Sequence, residues 1–223
     1  MFEKQASLLG KWGWHILNGS FFWFLGNFIY LLLVLNSFLA ENVNELGTLI
    51  ITGFFLIPFI FSPGTTAAFT CVRKVAEGDY VSLSDFWKRY KENYQQSMQH
   101  GLLYICLTFL LYAAYRYYGE LHIFGEIIPI LLFLFVTVLY LFVLVYTSDR
   151  IQTFLDYWKI GIRMLINHPV FMIFMGTEIF FVLYFTSYTG ALLFLVAPGL
   201  CLVIVNYFYL ESVKSENRKL GKI

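Results

Sequence analysis

Glu178 is an isolated acid in the apolar run Ile173-Phe174-Met175-Gly176-Thr177-Glu178-Ile179-Phe180-Phe181. An ionised carboxylate in the middle of a bilayer costs on the order of 3 kcal/mol, so such a group is protonated, paired or open to water. Two uses follow. One is a structural hydrogen bond, with Thr177, Asn27 or Asn206 as partners by type; the other is a site for a proton, a cation or a substrate. A second candidate is Ile57-Pro58-Phe59-Ile60-Phe61-Ser62-Pro63-Gly64-Thr65-Thr66-Ala67-Ala68. Each proline removes a backbone donor and crowds the preceding turn, which predicts a kink or a break. If the helix breaks, its second half starts at Pro63, with Ser62 as N-cap and Gly64, Thr65 and Thr66 in the first turn. Free N–H groups at such a start bind an anion or a polar ligand. Ala197-Pro198-Gly199 echoes the pattern later in the chain.

The elements that would carry these groups follow from composition. Of 223 residues, 59% are hydrophobic, 21% aromatic and 13% charged. Soluble domains carry about 25% charged residues, so this is the composition of a single integral membrane domain over residues 1–223. It excludes a soluble enzyme, a nucleic-acid binder and a disordered chain. Cys71, Cys106 and Cys201 are odd in number, lie in or beside apolar runs and have no histidine at ligand spacing. They read as small hydrophobes, with neither a disulfide framework nor a metal site expected. No Walker A, H-E-x-x-H or G-x-S-x-G pattern occurs, so the expectation is a chain without catalytic residues or cofactor.

A spanning helix needs about 20 apolar residues. Six segments qualify: roughly 16–39, 46–72, 101–118, 127–147, 170–187 and 190–210. The first follows Glu3, Lys4 and Lys11 with no small-residue cleavage site, and so reads as a retained span. The basic residues divide sharply between the two sides. One side holds Lys4 and Lys11, then Arg73, Lys74, Lys88, Arg89 and Lys91, then Arg150, Lys159 and Arg163, then Lys214, Arg218, Lys219 and Lys222. Arg116 alone falls on the other, beside Glu41, Glu45, Glu120 and Glu126. The positive-inside rule then predicts a multi-pass protein of the cell membrane with both termini in the cytoplasm.

The long connections 73–100 and 148–169 each carry an amphipathic pattern. Ser82-Leu83-Ser84-Asp85 has capping-box form, and Leu83, Phe86, Trp87, Tyr90 and Tyr94 then share one face. Ile151, Phe154, Leu155, Trp158, Ile162 and Leu165 repeat the design. Both read as cytoplasmic helices at the headgroup level. Their alternative use is partner docking, through Phe86, Trp87, Lys88, Arg89 and Lys91 on the first and Trp158, Lys159 and Arg163 on the second. Asp85-Phe86-Trp87-Lys88 recurs as Asp156-Tyr157-Trp158-Lys159, and Lys11-Trp12 lies about 75 residues before the first copy. A duplication into three hairpin units accounts for this, and so does a shared interfacial preference of tryptophan and lysine. Asn18, Asn27 and Asn36 in the first span are expected to hydrogen-bond between helices. Tyr112, Tyr115, Tyr117 and Tyr118, beside Arg116 and His122, read as an outer aromatic belt or as a sugar-stacking platform.

Asn18-Gly19, Phe22-Trp23, Leu25-Gly26-Asn27, Leu56-Ile57-Pro58, Pro63-Gly64-Thr65-Thr66-Ala67-Ala68, Arg73-Lys74 and Ser84-Asp85-Phe86-Trp87 with Lys91, Asn93 and Gln96 resemble the YesL-like family of bacterial membrane proteins. The resemblance covers roughly the first 100 residues. That family has no established biochemical activity. Its members are commonly encoded beside carbohydrate ABC importers, so the resemblance implies an accessory role in sugar uptake. The E-A-A coupling loop of an importer permease is missing here. The expectation is an all-α bundle of six transmembrane helices with two cytoplasmic amphipathic helices. Two functions compete. One is a non-catalytic accessory subunit in the lipid bilayer, bound to importer permease and ATPase subunits. The other is an autonomous small-solute or ion-coupled transporter or channel using Glu178 and the broken second span. A polar cavity reaching Glu178 would favour the transporter; a packed core with an apolar outer groove would favour the accessory subunit.

Overall fold

The computed structural model describes residues 2–37, 39–119, 123–189 and 191–219, which form helices and short connections. Helices α1 (Phe2–Gly26) and α2 (Phe28–Ser37) meet at Asn27, where the axis bends by 84°. The Trp23 carbonyl accepts from both the Asn27 backbone N–H (2.9 Å) and the Asn27 side-chain amide (3.0 Å). Such competition within the backbone ladder bends helices. The expected first span is therefore a bent pair and not one straight helix. The asparagines also depart from expectation. Asn18 and Asn36, like Asn27, donate to the carbonyl four residues back in their own helix and not across to a neighbour.

Asn42 caps α3 (Val43–Leu56) by accepting from the Glu45 N–H at 2.9 Å, while Glu45 takes the Glu41 N–H at 3.0 Å. The prolines that follow do not break the chain. Ile57–Phe61 forms one π-helical turn and the helix continues as α4 (Ser62–Glu77), so that Val43–Glu77 is one 35-residue helix. The wider turn shifts the ladder by one residue, and the Ser62 N–H pairs with the Ile57 carbonyl. That relieves the clash a proline ring makes with the carbonyl four residues back. Ser62 is itself helical (φ −62°, ψ −53°), so it is no N-cap, and the half-helix start expected at Pro63 does not form. Gly78 ends α4 in the left-handed region (φ 94°), which glycine adopts without strain.

Ser82 and Asp85 start α5 (Leu83–Gly119) as a reciprocal cap: the Asp85 N–H donates to the Ser82 hydroxyl oxygen, and the Ser82 N–H to the Asp85 carboxylate. A separate cytoplasmic helix followed by a span at 101–118 was the expectation; the structure has one 37-residue helix. No proline lies between Ser82 and Gly119, so nothing stops the first helix before the apolar run begins. Then come α6 (Ile123–Thr147), α7 (Phe154–Asn167), α8 (Pro169–Thr189) and α9 (Ala191–Lys219).

Four described helices are long and apolar enough to cross a membrane, or five if the bent pair counts as one span. They are Val43–Glu77, Leu83–Gly119, Ile123–Thr147 and Leu195–Glu216. The fifth expected span falls on α8, which has a shorter described apolar stretch at Ile173–Val182. The core lies at one end of the bundle, where α4 from Ser62 to Val72 and α6 from Phe142 to Thr147 are buried throughout. Helix α1 crosses both neighbours at small residues. A Cβ on Gly64 would sit 2.9 Å from the Gly26 carbonyl, and one on Gly199 only 2.0 Å from the Ile16 carbonyl. Close backbone approach of this kind is how membrane helices gain contact energy.

Candidate functional site

The proline-threonine stretch packs into the interior of the bundle. Ser62 donates to the Ile57 carbonyl at 2.8 Å and shares a 2.6 Å hydrogen bond with the Tyr140 hydroxyl on α6. Thr65 accepts the Trp23 indole N–H at 3.1 Å, tying α4 to α1. Gly64 lies against Gly26, and Thr66 is fully buried with no hydrogen-bond partner for its hydroxyl among the described residues. Ser62, Gly64, Thr65 and Thr66 are thus brought together, as the sequence suggested, but in a packed helix–helix contact.

Glu178 is elsewhere. It is the tenth residue of the 21-residue α8 and is exposed on the side of the bundle, with Phe174, Thr177 and Phe181 exposed around it. None of its expected partners reaches it. Thr177 donates to Ile173, Asn27 to Trp23, and Asn206 accepts from Arg73. The two parts of the transporter hypothesis therefore do not share a site.

The docking residues divide in the same way. Phe86 is fully buried and Trp158 is 8% exposed, so neither presents a contact surface, a correction to the sequence reading. The Trp158 indole donates to His100 Nδ1 on α5 at 3.0 Å, and Phe154 stacks on the same imidazole. Tyr157 beside it accepts the Gln152 N–H and shares its own proton between the Arg150 carbonyl (2.6 Å) and Gln96 (3.1 Å). Trp87, Lys88 and Lys91 are exposed on α5 and Lys159 and Arg163 on α7, while Arg89 pairs with Glu92 at 2.9 Å. Cys71 is buried, but Cys106 is exposed on α5, so burial explains only the former.

One cluster escaped the sequence reading. Arg73, with its side chain 11% exposed, leaves α4 and bridges two other elements. It donates to Asp149 (2.5 Å), Ser148 (2.9 Å) and the Val145 carbonyl (3.3 Å) at the end of α6, and to Asn206 (3.4 Å) on α9. The Tyr209 ring lies 5.4 Å below the guanidinium, and its hydroxyl donates to the other Asp149 oxygen. A planar fork with several fixed acceptors is a clamp joining three helices. The available signal was an arginine directly after an apolar run, with an aspartate at the corresponding end of another.

A lateral groove of about 730 Å³ opens between α3, α5 and α6, walled by residues such as Ile51, Phe55, Phe109, Tyr112 and Phe133. Tyr112, Tyr117 and Tyr118 are more than half exposed, towards the C-terminal end of α5, and His122 lies outside the described residues. Among the described residues no group of three or more His, Cys, Asp or Glu side chains stands close enough to hold a metal ion.

Residues 20–115 match the family model described as a protein of unknown function, DUF624. Over these residues the chain is similar to the YesL-like domain of unknown function. The YesL-like segment contains the bend at Asn27, the π turn, Ser62 to Thr66, Arg73 and the Ser82 cap. It does not contain Asp149, Asn206 or Tyr209, so Arg73 reaches from that segment into the rest of the chain. No curated protein and no solved structure matches the sequence.

Proposed function

We propose that this chain is a non-catalytic accessory subunit that sits beside a larger membrane protein. The YesL-like resemblance points to a carbohydrate ABC importer, with its permease and ATPase subunits as the contacts. In this reading six spans cross the cell membrane, α8 is the fifth, and both termini are cytoplasmic. The observation that supports it best is the position of Glu178, exposed halfway along an apolar helix. Lipid tails are a poor neighbour for a carboxyl group, which in membrane helices faces protein or water. A companion helix with a hydrogen-bonding or basic side chain at that depth satisfies it. The apolar groove between α3, α5 and α6 fits the same side-by-side role. The transporter reading has weaker support, because Ser62 and Thr65 are engaged in packing contacts away from Glu178.

The test is a mild-detergent pull-down of the tagged chain from its native membrane, with bound chains identified by mass spectrometry. Stoichiometric recovery of importer permeases, lost in Glu178→Leu but kept in Glu178→Gln, is the expected result. Recovery of the chain alone, with solute uptake abolished by Glu178→Gln, would replace this reading with the transporter.

A further inference from the structure

Helix α7 has two apolar faces and only one is covered. Tyr157, Trp158, Gly161, Met164 and Leu165 are buried against the bundle. On the opposite side Leu155 is 63% exposed, Ile162 42% and Ile166 70%. Lys159 and Arg163 are exposed on that same outward side, one helical turn from their apolar neighbours. Neither cation forms an ion pair among the described residues. The acids nearest in the helix or packed at its end are otherwise engaged: Asp156 accepts from the Thr153 hydroxyl at 2.5 Å, and Glu216 lies 3.5 Å from Asn167 and from His168.

The level of α7 in the bundle is fixed by its contacts. Trp158 meets α5 at His100, the point where that helix changes character. Before His100 it carries Lys88, Arg89, Lys91 and Glu92; from Gly101 to Tyr115 it has no charged residue. Gly161 lies against Leu139, Phe142 and Val143 of α6, where that helix is apolar. So α7 lies beside the point where polar side chains give way to apolar ones on α5, and against the apolar part of α6. A face that combines large aliphatic groups with unpaired cations suits neither bulk water nor hydrocarbon. It suits the headgroup boundary, where aliphatic side chains meet acyl chains and cations meet phosphate.

We propose that the outward face of α7, formed by Leu155, Lys159, Ile162, Arg163 and Ile166, binds anionic phospholipid. Lys159 and Arg163 contact the headgroup phosphate, and the three aliphatic side chains lie against the upper acyl chain. The proposal is independent of the accessory-subunit reading, because the purified chain alone is sufficient to test it.

The experiment is native mass spectrometry of the full-length chain released from nanodiscs of mixed phosphatidylglycerol and phosphatidylcholine. Thermal unfolding is measured in parallel in discs of each composition. The wild type retains phosphatidylglycerol preferentially and melts higher in its presence. Lys159→Gln with Arg163→Gln reduces that retention by roughly ten- to thirtyfold, as expected for two cations at a lipid surface. The same double variant melts like the wild type in phosphatidylcholine alone, which separates lost binding from lost folding. Lys88→Gln with Lys91→Gln, which removes two exposed cations elsewhere, leaves the preference intact. Equal loss in both double variants would overturn the proposal in favour of general charge attraction. A melting shift produced by inorganic phosphate in phosphatidylcholine discs would overturn it in favour of a soluble anion. Absence of any lipid preference in the wild type would also overturn it.

Discussion

At Ser82 the chain enters α5 and at Thr153 it enters α7, each time through a hydroxyl residue, an aspartate three positions on, and then an aromatic, a tryptophan and a lysine. The side-chain pairing is shared but the cap is not: the Asp85 N–H donates to the Ser82 hydroxyl oxygen, whereas the Thr153 side chain accepts no backbone N–H. Ser82 and Thr153 both donate their hydroxyls to that aspartate, and the next aromatic, Phe86 or Tyr157, is fully buried. The tryptophans then part company. Trp87 is 42% exposed, whereas Trp158 is 8% exposed and hydrogen-bonded to His100. The helices also end differently. α5 runs on for 37 residues, while α7 stops after 14 at His168, which precedes a proline and leaves the helical region. The motif therefore marks where a helix begins and which aromatic is buried next. What covers its faces depends on where the remaining helix can go, and the short α7 folds back over the long α5.

Tryptophan truncation separates the copies most strongly. Trp158→Ala should cost about 3–5 kcal/mol of stability in detergent, and Trp87→Ala less than about 1 kcal/mol. Equal losses in chemical denaturation would show that the copies are equivalent after all. The glycines come next. A Cβ on Gly101 of α5 would lie 2.6 Å from the Pro58 Cα, where backbone must move. One on Gly161 of α7 would meet the end of the Leu139 side chain at 2.8 Å, which can yield. Gly101→Ala should thus cost about 1–3 kcal/mol and Gly161→Ala less, by the same measurement. Loss of the Arg73 clamp gives a reference outside the comparison: Arg73→Met leaves Asp149 with only the more exposed Arg150, 3.5 Å away, and should cost about 2 kcal/mol.

The caps themselves give the smallest effects. Ser82→Ala should cost about 1 kcal/mol, seen as faster amide exchange in the first turn of α5, and Thr153→Ala, which removes no bond to a backbone N–H, should cost less. The α5 cap also carries a pH dependence of defined sign. The hydroxyl and N–H of Ser82 hold the Asp85 carboxyl below its ordinary value. A depressed folded pKa means that the contribution is complete above the unfolded value, near pH 4, and disappears as pH falls through the folded one. Protection against amide exchange at the start of α5, taken relative to the intrinsic rate at each pH, should therefore fall in acid, and Ser82→Ala should weaken that response.

The sequence made the apolar helices and the Ser82 cap legible because hydrophobic runs and capping boxes are local signals. Four of the six expected spans coincide with helices of spanning length and character. What failed depends on distant parts of the chain. An apolar stripe containing Trp158 looks the same whether lipid or His100 will cover it. Two prolines in the second span announce a distortion, but its form, a π turn, depends on Ser62 finding Tyr140 and on Gly101 letting α5 come close. The bend at Asn27 brings Gly26 against Gly64, which lies far along the chain. In the sequence Arg73 looks like one more basic residue beside an apolar run, because its partners Asp149 and Asn206 lie more than 70 positions away. Glu178 was recognised as unusual, but which way a single residue faces on a uniformly apolar helix is set by the neighbouring helix.

The central claim is that the Glu178 face of α8 lies against another protein. A photo-crosslinking amino acid placed at Thr177, and separately at Phe181, tests it in the native membrane. The account predicts a discrete adduct from both positions containing a second, different polypeptide. Adducts to lipid alone, or to a second copy of this chain, would contradict it.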